Sequence, residues 1–185
     1  MVRQLTYGMQ MHSFAPRALL ALGVGLLLSA CASVGPTIAP RTATTPPPQL
    51  TQASILTAIN AARQSNGGHK PYTYNVALEA ACKTQLGLMV EKDKLEHNLG
   101  MTPRERTDQQ GYRGAIGENL AGGQATIEGA IQGWLNSPGH RATLLNDKFV
   151  EFGLAVATVP AERHSRYGIY WCMIAGGPVS NWIPS

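Results

Sequence analysis

The sequence predicts an α+β domain in which a pair of apolar strands lies between helices. Two observations predict it. Apolar residues recur at helical spacing in three stretches between residues 51 and 136, and Ser137-Pro138 starts a fourth helix. Near the C-terminus the period changes, and residues 152–159 and 167–174 read as strands joined by a polar loop. Both strands are apolar on both faces: in the second, Ile169, Trp171 and Met173 oppose Tyr170, Cys172 and Ile174. An antiparallel pair with one wet face would alternate with polar residues, so this sheet is covered on both sides. Gly153, Ala155 and Ala157 share one face and leave room for a helix to pack close.

The elements follow in order. Ile55, Leu56, Ile59 and Ala62 form the apolar side of a first helix, which Asn66-Gly67-Gly68 ends. Asn75 caps a second helix running to about Lys94, with Leu78, Cys82, Gln85 and Met89 on its inward face. Thr126 caps a third, with Ile127, Ala130, Ile131 and Trp134 inward. Trp134-Leu135-Asn136-Ser137-Pro138-Gly139-His140-Arg141 then reads as a helix end, a break and a new start. Ser137 is a good N-cap, and Pro138 falls at the first helical position, where its missing N–H costs nothing. His140 would be the third residue of this helix, which ends near Asn146. The positive end of the helix dipole opposes protonation there and favours a neutral imidazole.

Three regions divide the 185 residues. Residues 1–30 have the order of a secretory leader: Arg3 and Arg17, an apolar run over 18–28, then small residues. The run is short for a permanent membrane span. Leu28-Ser29-Ala30-Cys31 resembles a bacterial lipobox, which implies cleavage before Cys31 and lipidation of it. Ala32 after the cysteine resembles an outer-membrane signal, with the protein facing the periplasm. Residues 31–50 are rich in Ser, Thr, Ala and Pro and read as a tether of polyproline character, reaching up to about 60 Å at ~3.1 Å per residue. Residues 51–185 suit one compact domain.

Charge narrows the partners. Removal of Arg3 and Arg17 with the leader halves the formal charge of +4. No cluster of Lys and Arg with interleaved aromatics remains, which argues against nucleic acid. With Cys31 acylated, Cys82 and Cys172 remain, and an oxidising envelope favours one disulfide between them, the alternative being two buried thiols.

Three ionisable residues have unusual settings: His97 just past the second helix, Glu118 between glycines in Ile116-Gly117-Glu118-Asn119-Leu120-Ala121-Gly122-Gly123, and His140. Each has a plain structural explanation when taken alone: a helix C-terminal histidine, a carboxylate on local amides, a first-turn residue. Taken in order, Leu95-Glu96-His97-Asn98, Gly117-Glu118-Asn119-Leu120-Ala121-Gly122-Gly123 and Trp134-Leu135-Asn136-Ser137-Pro138-Gly139-His140-Arg141 resemble the bacterial branch of the CAP superfamily. This is the family of cysteine-rich secretory proteins, antigen 5 and pathogenesis-related 1 proteins, also called SCP/TAPS. The resemblance covers essentially all of the chain after the tether. It implies an α-β-α sandwich with a small antiparallel sheet, and a surface cleft where His97, Glu118 and His140 converge. In eukaryotic members the cleft has two His and two acidic residues and can bind a divalent metal; here Ser137 stands where the second Glu would be.

Two functions follow. The first is a binding module whose cleft takes an envelope lipid, glycan or protein, with Ser137 and Arg141 beside it; no residue is an evident activated nucleophile. The alternative is a metal-assisted, peptidase-like hydrolase, in which His97, His140 and Glu118 hold a divalent ion such as zinc and leave a position open for water. A third idea, Ser137 as nucleophile with His140 as base, is set back because a capping serine has its oxygen occupied by backbone amides.

Overall fold

A computed structural model describes residues 49–183. The leader, Cys31 and all of the tether but Gln49 and Leu50 lie outside the described residues. The order of elements is α1 (Gln52–Ser65), β1 (Thr73–Tyr74), α2 (Val76–Lys92), α3 (Pro103–Gln109), β2 (Ala115–Gly122), α4 (Ile127–Leu135), α5 (Pro138–Leu144), β3 (Glu151–Thr158), β4 (Ile169–Gly177) and a 3₁₀ turn (Val179–Trp182).

The strands form one sheet in the order β1-β3-β4-β2. The three long strands are antiparallel as expected, with Leu154 opposite Met173 and Glu118 opposite Ile174. The two-residue β1 adds a parallel edge beside β3, so the sheet as a whole is mixed. Two residues are too few for any alternation to announce that pairing.

Helices cover both faces, because both faces of β3 and β4 are apolar. On one side Phe152, Leu154, Trp171 and Met173 pack against Ile55 and Ile59 of α1, Ile127, Ile131 and Trp134 of α4, and Leu144 of α5. On the other, Ala155, Tyr170, Cys172 and Ile174 pack against Leu78, Ala81, Cys82, Leu86 and Met89 of α2. Gly153 makes the second contact tight: a Cβ there would lie 2.0 Å from the Glu79 backbone nitrogen. Cys82 and Cys172 form a disulfide between α2 and β4, with their Cα atoms 5.3 Å apart.

Local chemistry ends the helices where the sequence punctuates them. Thr51 forms a capping box with Ser54, Asn75 Oδ1 accepts from the amides of Ala77 and Leu78, and Thr126 accepts from Gly129. Asp93 stops α2 two residues early by taking a left-handed conformation (φ 48°). Its carboxylate accepts hydrogen bonds from Ser165 Oγ, the Arg166 amide and Tyr170 Oη, which fixes that turn. α5 begins with Pro138 as expected, but Ser137 Oγ makes no bond to the helix amides. This corrects the sequence reading: Ser137 takes the extended N-cap backbone without supplying the cap.

Candidate functional site

β2 is an edge strand, and four consecutive residues of it, 117–120, organise the site. Alternation sends Glu118 and Leu120 to the α2 side and Gly117, Asn119 and Ala121 to the α4–α5 side. A Cβ at Gly117 would lie 2.8 Å from Thr143 Cγ2 and 3.1 Å from the Phe149 ring, so glycine lets α5 rest on the strand. Asn119, fully buried, donates from Nδ2 to the His140 carbonyl at 2.9 Å. Trp134 Nε1 donates to the Leu120 carbonyl at 3.0 Å, pinning α4 to the same strand.

On the other face Glu118 is the centre of a chain of charges. Its side chain is 2% exposed. Oε1 lies 2.7 Å from His97 Nδ1, and Oε2 accepts from Arg106 Nη2 at 2.5 Å. Arg106, on α3, has no exposed surface, and its Nη1 also donates to the carbonyls of His97 and Met101. One guanidinium therefore holds both the carboxylate and the loop that carries the histidine. Gln85 Nε2 donates to the Glu96 carbonyl at 2.5 Å and fixes the loop from α2. The Cys172 sulfur lies 3.8 Å from Glu118 Oε2, so the disulfide borders the carboxylate.

The two imidazoles differ in proton affinity. The hydrogen bond to Glu118 raises the proton affinity of His97 above its usual value, outweighing the cost of partial desolvation. His140 moves the other way: desolvation by burial lowers it first, and the charge of His97 lowers it further. The direction matches the sequence reading, but the leading cause is burial rather than the helix dipole. With Nδ1 engaged by Glu118, His97 presents Nε2 outward from a half-exposed side chain.

The remaining sequence candidates lie at the periphery. Ser137 Oγ forms no hydrogen bond with His140 among the described residues. Arg141 turns toward the end of α1, where Nη1 donates to Asn66 Oδ1 at 3.3 Å. Asn66 stands at the end of a shallow groove of about 400 Å³ between α1 and α4, floored by Ala58, Ala62, Ile131 and Leu135. Sequence reasoning missed Arg106 and Asn119. Asn119 was inside the motif beside Glu118. Thr102-Pro103-Arg104-Glu105, a capping box with proline at the first helical position, could have revealed α3, and with it Arg106.

The donor set does not fit the three-ligand metal site expected from His97, Glu118 and His140. Both Glu118 oxygens are taken, one by a buried guanidinium, and no three His, Cys, Asp or Glu side chains among the described residues are grouped to hold an ion. The carboxylate serves as support for His97 instead.

Comparisons with known proteins agree with this architecture. The profile of the CAP, or cysteine-rich secretory protein, family matches residues 56–174. The protein YkwD of Bacillus subtilis, itself uncharacterised, is 32% identical over 107 residues, covering 56% of this chain and 41% of its own length. The chain thus spans less than half of that relative. Three solved structures share the fold. An outer surface protein from Borrelia burgdorferi has a TM-score of 0.57 at 22% identity, covering 67% of this chain and 90% of its own. An extracellular protein with an SCP domain from Bacillus anthracis has a TM-score of 0.55 at 20% identity, covering 72% and 45%. A cysteine-rich secretory protein from Staphylococcus aureus has a TM-score of 0.53 at 22% identity, covering 67% and 37%.

Proposed function

The chain belongs to the cysteine-rich secretory protein family, and from that membership we propose that it is an exported, lipid-anchored binding module. Residues 1–30 are its leader, Cys31 its lipid anchor and residues 31–50 its tether. The edge of β2, flanked by His97 and His140, recognises an envelope lipid, glycan or protein without turning it over. Export is supported by the outer-surface and extracellular descriptions of two proteins sharing the fold. The disulfide is consistent with an oxidising compartment.

One observation carries the binding reading: both oxygens of Glu118 are engaged, by His97 and by Arg106. A carboxylate so held is neither a free general base nor an open metal ligand. What it produces is a fixed imidazole with raised proton affinity beside one with lowered affinity. Of that pair His97 holds its proton more tightly and serves as the donor, while His140 gives its proton up more readily and serves as the acceptor, a pattern suited to a polar head group or a sugar hydroxyl. No hydroxyl or thiol among the described residues is bonded to either imidazole, so the nucleophile that covalent hydrolysis requires is missing from this arrangement.

The test compares the native protein with a His97→Ala/His140→Ala variant, each incubated with extracted envelope lipids, glycans and proteins. Stoichiometric retention of one class by the native protein, lost in the variant, is the expected result. Catalytic turnover of peptide or ester substrates that both substitutions abolish would replace binding with the hydrolase reading.

A further inference from the structure

The end of the sheet where β3 begins and β4 ends carries an apolar face that the binding site does not use. Five large apolar side chains stand exposed among the described residues, and four of them, Val150 (42%), Val179 (53%), Trp182 (40%) and Ile183 (67%), belong to two short segments. These segments are held together: Asn181 Nδ2 donates to the Lys148 carbonyl, and the Trp182 ring lies 5.3 Å from that of Phe149. Scattered exposed apolar residues need no explanation, but a cluster at one place does.

We propose that this face docks onto an anionic lipid surface. Its chemistry is that of a bilayer interface: an indole with an ammonium over it, Lys148 Nζ lying 4.9 Å from the Trp182 ring centre, and exposed Val150, Val179 and Ile183 in the same two segments. The charge balance fits. Neither 148–150 nor 178–183 contains a carboxylate. The two flanking acids are engaged elsewhere: Asp147 by Arg63 and His69, Glu151 by Tyr112 Oη and Asn75 Nδ2. Lys148 is therefore left as the charge that an anionic head group meets. So small a patch binds weakly alone, and the inference rests on the anchored reading above for the local concentration that a tether provides.

The protein carries its own reporter, since Trp134 and Trp171 are buried and Trp182 is exposed. The full chain, purified from membranes of an expressing bacterium, is reconstituted with phosphatidylethanolamine/phosphatidylglycerol vesicles whose acyl chains are brominated near the head group. Flotation reads anchoring, and bromine quenching of tryptophan emission reads docking. Docking predicts a quenched component that Trp182→Phe removes. Val179→Ser/Ile183→Ser should lower the docked-to-undocked ratio by roughly tenfold while flotation is unchanged. Flotation with Trp182 unquenched and open to aqueous acrylamide overturns docking and leaves the anchor standing. The absence of both flotation and quenching overturns both readings. Concentration-dependent protection of Trp182 without vesicles makes the face a contact between copies of the chain and overturns the lipid proposal.

Discussion

Arg106 and Glu118 are the pair on which the site's electrostatics turn, and they are the most sensitive place to cut it. Replacing Glu118 with Gln removes the cause of the His97 upshift and leaves a guanidinium with no exposed surface short of its charge partner. Breaking a buried pair from one side costs about 3–5 kcal/mol. The His97 contribution adds a pH dependence whose sign is fixed. A histidine raised in the folded state stabilises fully below its ordinary value of 6.5 and loses that stabilisation as pH rises through the folded value. Denaturant titrations should therefore find Glu118→Gln more costly at pH 6 than at pH 8. An equal cost at both would remove His97 from the account. Ser137 is the contrasting case, because its hydroxyl caps nothing. Ser137→Ala should change stability by less than about 0.5 kcal/mol, whereas Thr126→Ala, which loses a real cap bond, should cost about 1 kcal/mol. Equal losses in a parallel melt would restore the capping role.

At the scale of elements, the tightest glycine-mediated approach among the described residues is α2 against β3. A methyl group at Gly153 has the backbone of Leu78 and Glu79 in its way, which a rotamer change cannot relieve. Gly153→Ala is predicted to cost more than about 3 kcal/mol, the upper end of overpacking; a variant within about 1 kcal/mol of the native protein in denaturant would mean that α2 sits further out. The same contact shows what the sequence could disclose. Gly153, Ala155 and Ala157 on one face, with apolar residues on the other, already required a close helix and a second layer. Helices α1, α2 and α4 were legible because burial imposes a period on them, β3 and β4 because both of their faces are apolar, and α5 because Pro138 marks its first turn. β2 was not, since Ile116-Gly117-Glu118-Asn119 spends its positions on a helix contact, a buried acid and a buried amide. α3 is seven mostly polar residues without an apolar stripe. The early stop of α2 at Asp93 depends on Ser165 and Tyr170, more than seventy residues later. For the site, order and motif identified His97, Glu118 and His140. Spacing alone could not reveal that Glu118 was committed to Arg106.

The whole molecule is a sandwich stapled through its centre. The Cys82–Cys172 bridge joins the helix that leads into the His97 loop to the central strand beside β2, across 90 residues of sequence. Loop-closure entropy of that size stabilises by roughly 4–5 kcal/mol. A Cys82→Ser/Cys172→Ser protein should lose about that much in a denaturant midpoint measured at neutral pH, and a loss under about 1 kcal/mol would show that packing alone holds the two layers. The central claim is also molecular in scale: imidazoles from opposite faces of the sheet meet at the free edge of β2 as one site. Its most direct test is a histidine-resolved NMR titration of the native protein and of His97→Gln. The claim predicts that His97 titrates above 6.5 and His140 below it, and that His140 moves upward when His97 is replaced. Two ordinary values, or a His140 indifferent to the loss of His97, would contradict it.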